Sequence, residues 1–452
     1  MMIGFLLLLL SVFLYTSAKQ RRWAILLFVI FATNGMNFLV HSVIGFYPPD
    51  LALLFVLFAV LFDRTNCVLL KQKDGKNILR QVEFFLLFLV FCILFSLFYY
   101  GLDFSDVIKG GRQYVLLASL FFLAKLPSKD VKWLFSKPLF YITLVNGILY
   151  IVQVLTNLPV LPYSMEPHIE PSTGLFRYYN SPKLLSFYLY SLIIFPSLIP
   201  VKRRKLVLVV FFIALILTQG RTAIFVTLAM LGIGIIMKGD LKKMVRTSII
   251  LIICSLPFID MIMSRFTSEG ATESDLKVVL TGNFRSMAYG NYQAEGGGNM
   301  AYRFAWVAER VYYLADRTFG ENVFGLGLMD EYSPNNKYNF FIGLADEDTG
   351  RITQIYTSDT AIGSLLCNVG YLGLFLFLSI WFVITKTCYK FRKTNRMAFV
   401  YFLCLLSSWL SIMNASSMAN SGNLIIAFII YFYICRNEEV DLAKKIVSKT
   451  IL

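Results

Sequence analysis

Apolar residues run in blocks of about twenty along most of the chain, separated by short basic or polar junctions. A helix of that length spans the hydrocarbon core of a bilayer. Thirteen blocks are predicted, near 2–17, 23–44, 50–70, 80–100, 108–125, 137–157, 183–200, 206–219, 221–237, 247–263, 358–385, 397–413 and 422–435. The eighth and thirteenth are short, and the fifth carries a basic start and the pair Gly110–Gly111. The pattern predicts an all-α polytopic membrane protein with about 13 transmembrane helices (12–14) and a long extracytoplasmic loop containing an amphipathic helix. The expected organisation is N-terminal transmembrane helices over 1–157, a first outer loop at 158–182, central transmembrane helices over 183–263, a large extracytoplasmic loop at 264–357, C-terminal transmembrane helices over 358–435 and a cytoplasmic tail at 436–452.

Composition narrows the class. Of 452 residues, 57% are hydrophobic and 15% charged, against roughly a quarter charged in soluble chains. That excludes a soluble enzyme, a nucleic-acid binder and a disordered scaffold. The net charge of +15 reads as topology, because Lys and Arg stay on the cytoplasmic side. The first block has its charges after it, at Lys19, Arg21 and Arg22, whereas a secretory signal carries them before its apolar core. An uncleaved helix with an outside N-terminus is expected. The alternation that follows places 29 of the 42 lysines and arginines inside and predicts a cytoplasmic C-terminus. All seven cysteines fall in blocks or on the inner side, and there are two histidines. No disulfide framework, metal site or cofactor is expected.

Polar chemistry gathers in the predicted outer segments. The first loop, NLPVLPYSMEPHIEPSTGLFRYYNSP (157–182), holds His168, Glu170, Arg177, Tyr179 and Asn180. Arg221, in TQGRTAIF, joins two blocks with almost no linker. An arginine there is costly unless it meets an anion, a carboxylate or water; snorkelling to headgroups is the alternative. In the second loop, Arg285 precedes NMAYRFAWVAERVYYLADRTFG, which reads as an amphipathic helix ending at Gly320. Arg303 and Arg310 are two turns apart and share a face, with Arg317 continuing the row. Trp306, Val307 and Tyr313 are expected along the membrane surface. Most outer cations are arginines; Lys183, Lys277 and Lys337 are exceptions. Arginine's planar fork suits carboxylate or phosphate, and a lipid-linked pyrophosphate is such an anion. Tyr179 and Trp306 are placed to stack on sugar rings. Asp359, in Ser358–Asp359–Thr360, reads as a helix N-cap.

The order of these motifs resembles that of bacterial polysaccharide polymerases of the Wzy type and the related O-antigen ligases. The resemblance rests on FRYYNSPKLLSFYL (176–189), TQGRTAIF (218–225), YRFAW (302–306), FGLGL (324–328) and the Gly370–Gly373 pair that follows Asp359. Asp359 and Thr360 stand where the ligases show His-Asn, which favours a polymerase over a ligase. The resemblance implies a GT-C-like architecture in the bacterial cytoplasmic membrane. It implies glycosyl transfer at the outer face, from one undecaprenyl-pyrophosphate-linked glycan to a second, building O-antigen or capsular polysaccharide. Arg221 and Arg303 are the implied pyrophosphate clamps, with Arg177 as a third. Asp359 is the leading candidate base, with Glu170 and His168 as alternatives. Arg285, Arg310, Asn180, Tyr179 and Trp306 complete the substrate-binding set. No metal is implied, and a chain-length regulator is a candidate partner. An O-antigen ligase and a carrier-lipid flippase are the rival readings.

Overall fold

A purely apolar block forms an unbroken helix because each backbone polar group is satisfied within the segment. The computed structural model describes residues 2–62, 73–162, 168–169, 174–239, 280–287, 299–329, 340–342, 344–345, 352–353, 360–413 and 416–450. Within these, the chain is mostly helical. In the N-terminal part α1 (Met2–Thr16), α2 (Arg21–Ala32), the single turn α3 (His41–Ile44) and α4 (Pro48–Phe62) are followed by α5 (Lys73–Phe98). Next come α6 (Phe104–Val115), a 3-10 turn at Leu116–Ser119, α7 (Leu120–Leu123), α8 (Ser128–Ser136) and α9 (Pro138–Thr156). The central helices are α10 (Leu185–Ile194), α11 (Arg204–Leu217) and α12 (Arg221–Met237). In the long loop lie α13 (Asn299–Ala315) and α14 (Phe319–Phe324), and the chain closes with α15 (Ile362–Phe391), α16 (Arg396–Leu410) and α17 (Ser421–Thr450). Two antiparallel ladders of two residues each complete the described elements. They pair β1 (His168–Ile169) with β2 (Phe176–Arg177), and β3 (Leu344–Ala345) with β4 (Ile352–Thr353).

Among the described residues, three stretches are long and apolar enough to cross a membrane: Asn77–Phe98, Ser128–Thr156 and Ile362–Phe391. The shorter apolar helices are Ile3–Thr16, Pro48–Phe62, Leu185–Ile194, Thr222–Met237, Arg396–Leu410 and Ser421–Asn437. The predicted block 247–263 lies outside the described residues.

Three expected helices are interrupted, the third at Gly370 of α15. Block 23–44 ends as α2 at Ala32 and enters a 3-10 turn in which Asn34, Gly35, Met36 and Asn37 all take positive φ. The reason is tertiary. The Asn37 amide donates to the carbonyls of Asn180 (2.6 Å) and Ser181 (2.9 Å), and the Asn146 amide donates to that of Met36 (2.8 Å). Block 108–125 divides into α6, the 3-10 turn and α7.

The core is aromatic. Phe28 of α2 lies 5.4 Å from Phe55 of α4 and 5.2 Å from Phe122 of α7, and Tyr15 of α1 closes the group at 5.4 Å from Phe55. Edge-to-face and offset ring pairs at such distances contribute beyond their buried area. The residues of α17 from Leu424 to Phe432 are almost entirely buried, and this helix packs against α2, α8, α15 and α16.

A backbone contact fixes the segment 318–329 to this bundle. Gly370 interrupts α15 with φ 65°. A Cβ built there meets the Gly325 nitrogen and the Val323 carbonyl oxygen at 2.5 Å. Gly370→Ala is therefore expected to lower stability by the ~1–3 kcal/mol of left-handed strain plus the cost of separating the two backbones. Gly232, in α12, has nothing within 4 Å of such a Cβ, so Gly232→Ala should be neutral or stabilising by up to about 1 kcal/mol. Thermal unfolding of both variants in one detergent checks the contrast; equal midpoints would contradict the packing described.

Candidate functional site

Two groups of motif segments, far apart in sequence, come together. In the first, FRYYNSP and TQGR meet over the end of α9. The Tyr150 hydroxyl donates toward the carbonyls of Tyr178 (3.1 Å) and Leu217 (3.3 Å), and the Gln219 amide donates to the Phe176 carbonyl (3.4 Å). Gln153, one turn along α9, holds both ends of the connection between α9 and α10. Its Nε2 donates to Asn180 Oδ1 (3.3 Å) and its Oε1 accepts from the Leu161 backbone (2.6 Å). Thr143 donates to the Lys183 carbonyl (3.0 Å). The non-helical stretch 176–184 is thus satisfied by side chains of α9, the 3-10 turn and the start of α12.

Beside this stretch lies a cavity of about 290 Å³, near the lower bound of the ~300–1,000 Å³ common for ligand pockets. It is lined by Ser181, Pro182 and Lys183 from the first motif, by Thr218 and Ala223 from the second, and by Tyr401, Ser407 and Ser408 of α16 and Asn423 of α17, among others.

The second group joins YRFAW, FGLGL and the start of α15. Trp306 is buried against Gly363, where an added Cβ meets its indole at 2.9 Å. The Gly-x-Gly turn docks on α15 and α5. The Leu326 backbone donates to the Cys367 carbonyl (2.6 Å), and the Leu328 backbone donates to Ser96 Oγ (2.9 Å). Gly325 and Gly327 have φ of 81° and 105°, a region that favours glycine. The Ala361 backbone donates to the Ile412 carbonyl (3.2 Å), just past the end of α16. α16 therefore borders both groups.

The predicted site residues fall as follows. Arg177 is half-buried, lies in β2 opposite His168 of β1, and has its guanidinium 5.2 Å from the centre of the exposed Tyr179 ring. Asn180 is buried; its amide also donates to the Pro162 carbonyl (3.0 Å), so it braces the loop. Arg221 is the first residue of α12, and its side chain lies outside what is described. Arg303 is half-buried on α13. Arg285 is exposed on a 3-10 turn whose Phe284 packs 5.6 Å from Tyr312 of α13. Glu170 and Asp359 lie outside the described residues.

Three expectations about the long-loop helix change. It ends at Ala315 and not at Gly320, because Thr318 and Glu321 form a reciprocal capping box that starts α14. Arg317 therefore lies past the helix end and does not extend the arginine row. Trp306 and Val307 turn into the protein and not onto a membrane surface. The cause is Arg310. It is fully buried, with its guanidinium 4.0 Å from the Trp306 ring centre and 4.1 Å from that of Phe340. It donates to the carbonyls of Trp306 (3.1 Å) and Ile342 (2.7 Å) and to Glu309 (2.8 Å). Glu309 in turn accepts from the backbones of Phe341 (2.6 Å) and Ile342 (3.1 Å). Burial holds the Glu309 carboxyl above its ordinary pKa despite the Arg310 charge and these hydrogen bonds. The pair fixes the loop's geometry, and its ionisation carries a desolvation cost. As described, Arg310 faces protein.

Sequence reasoning passed over Tyr150 and Gln219 and gave Lys183 no role. Breaking the buried pair should cost about 3–5 kcal/mol. Arg310→Ala is thus expected to lower the thermal midpoint strongly and to reduce yield. Arg310→Ala that retains wild-type stability would disprove the bracing role.

No protein-family model matches the chain, and no curated protein matches it.

Proposed function

We propose that the protein is a polysaccharide polymerase of the bacterial cytoplasmic membrane. It joins oligosaccharide repeat units carried on undecaprenyl pyrophosphate, at the outer face, through a bundle of about thirteen crossings of GT-C-like design. The observation that carries this reading is the meeting of FRYYNSP and TQGR at one cavity wall, through Tyr150 and Gln219. A donor glycan loses its pyrophosphate carrier while a hydroxyl of the second repeat unit attacks the anomeric carbon. The leaving diphosphate gains charge, and fixed cations beside it stabilise that charge where it develops. Arg221 and Arg303 are assigned to it, with Arg177 alongside. Asp359 is assigned to accept the hydroxyl proton.

A carrier-lipid transporter is the second reading. Short helices that begin beside an interior cavity, as α10 and α12 do, are a feature of transporter binding sites.

Supplying the purified full-length protein with lipid-linked repeat units is expected to give a ladder of lengthening glycans without added nucleotide or metal. Lipid that changes leaflet with no gain in glycan length would support the transporter instead. Arg221→Ala and Arg303→Ala should each reduce elongation by ~10²–10³, with folding intact. If both variants elongate normally, the clamp assignment fails. Asp359→Asn should remove elongation while leaving donor binding unchanged.

A further inference from the structure

The turn between α10 and α11 gathers cations from three parts of the chain. The segment 195–206 holds Lys202, Arg203, Arg204 and Lys205. The segment 386–397, where α15 gives way to α16, holds five more lysines and arginines, and neither segment contains an Asp or Glu. The fold joins the two. Arg396 donates to Ser197 Oγ (2.6 Å), and the Phe195 ring lies 5.3 Å from that of Phe399 on α16. Lys238, just past the end of α12, donates to the Ile194 carbonyl (2.7 Å) and sits 4.7 Å from the centre of the Phe195 ring. Lys238 and Arg396 are 44 and 199 positions from these polar partners. Cations on a cytoplasmic loop are expected for topology alone, but that rule counts charge loop by loop and does not bring separate segments to one place.

This turn walls an open hollow of about 1040 Å³. Lys202, Arg203, Arg204 and Lys205 line it, all four exposed, and no acidic side chain among the described residues does so. Among the described residues, no ion pair engages any of the four. Like charges side by side repel, so the cluster is held together against its own field. Pro196 and Pro200 also line the hollow and fix two φ angles of the turn. Beyond the cations the surface turns apolar. Leu206 (58% exposed) and Val209 (43% exposed) follow on α11, and three residues apart they share one face of the helix. Cations at the head of a helix, with bare aliphatic side chains along it, complement an amphiphile. A soluble anion or a nucleic acid would leave that aliphatic face uncovered.

We infer that the hollow at the α10–α11 turn is a binding site for an acidic phospholipid of the bilayer. The cations at 202–205, backed by Lys238 and Arg396, face its phosphate, which suits the arginine fork, and its acyl chains lie along Leu206 and Val209. The site is separate from the residues assigned to glycan transfer. Arg221 opens α12 and Lys238 follows its end, 17 residues of helix away, or roughly 25 Å at 1.5 Å per residue. The inference needs the apolar helices to lie in a bilayer and does not draw on the polymerase reading.

The test uses the full-length protein in a neutral detergent. Dioleoyl phosphatidylglycerol, or phosphatidylcholine with the same chains, is titrated in, and bound lipid is counted by native mass spectrometry. Saturable binding of phosphatidylglycerol is expected, at least about tenfold tighter than that of phosphatidylcholine. Each cation removed should weaken it about fivefold, so Arg203→Gln combined with Arg204→Gln should lose roughly 25-fold. Arg203→Lys combined with Arg204→Lys, which keeps both charges, should retain most of the affinity. Lys129→Gln combined with Lys132→Gln, at two exposed cations of α8, should leave it unchanged. All these side chains are exposed, and each variant should unfold at the wild-type temperature. An equal loss in the α8 variant would show attraction by net charge alone and overturns the site. Equal affinity for the two lipids, or unchanged affinity in the Arg203/Arg204 glutamine variant, does the same. Binding of glycerophosphoglycerol, the soluble head without chains, as tightly as the lipid would make the ligand a soluble anion and also overturns it. Phosphatidylglycerol binding without glycan elongation would leave this site standing and remove the polymerase reading.

Discussion

An apolar interior offers no water, so every break in a helix must be met by a side chain from somewhere else. That constraint organises the centre of this protein. The stretch 176–184 is not helical, and its carbonyls are taken up by Asn37, Thr143, Tyr150 and Gln219. Asn37 in turn sits in a turn whose Met36 carbonyl is satisfied by Asn146. The breaks support one another across four parts of the chain. Because the irregular backbone is fixed in this way, it can serve as the wall of a cavity without collapsing into it.

Two kinds of polar interaction coexist in the bundle and point to different tasks. Around Asn180 and around Arg310, the side chains hydrogen-bond to backbone from distant segments and act as braces. Around Lys183 the hydroxyls of Thr218 and Ser408 already donate to the Leu215 and Cys404 carbonyls, and the ammonium is the group left over. Saturated networks hold shape, and unsaturated ones are where a ligand gains binding energy. By that distinction Arg310, which chain position alone groups with Arg303, belongs with the structural residues.

The helical class was legible in the sequence, because it follows from local hydrophobicity, and among the described residues three apolar stretches run long enough to cross a membrane. The interruptions were not. Asn37 and Asn146 read as isolated polar residues in apolar runs, since their partners lie more than a hundred positions away. The burial of Arg310 depends on a segment thirty residues downstream, and a heptad spacing of arginines says nothing of which face meets protein. One boundary was readable and missed. Thr318–Phe319–Gly320–Glu321 has the spacing of a capping box, which starts a new helix there. Lys183 could have been noticed as a cation placed directly after an Asn-Ser-Pro turn and before an apolar run, yet its place on a cavity wall is a tertiary fact.

The glycine-to-glycine contact between the turn at Gly325 and the break at Gly370 joins two backbones with no side chain between them. Side-chain interfaces slide by changing rotamers, but main chain against main chain has no such slack. The segment from Thr318 to Leu328 is therefore carried with α5 and α15 as one body. Any motion of the connection between α12 and α15 has to pivot at joints other than this one.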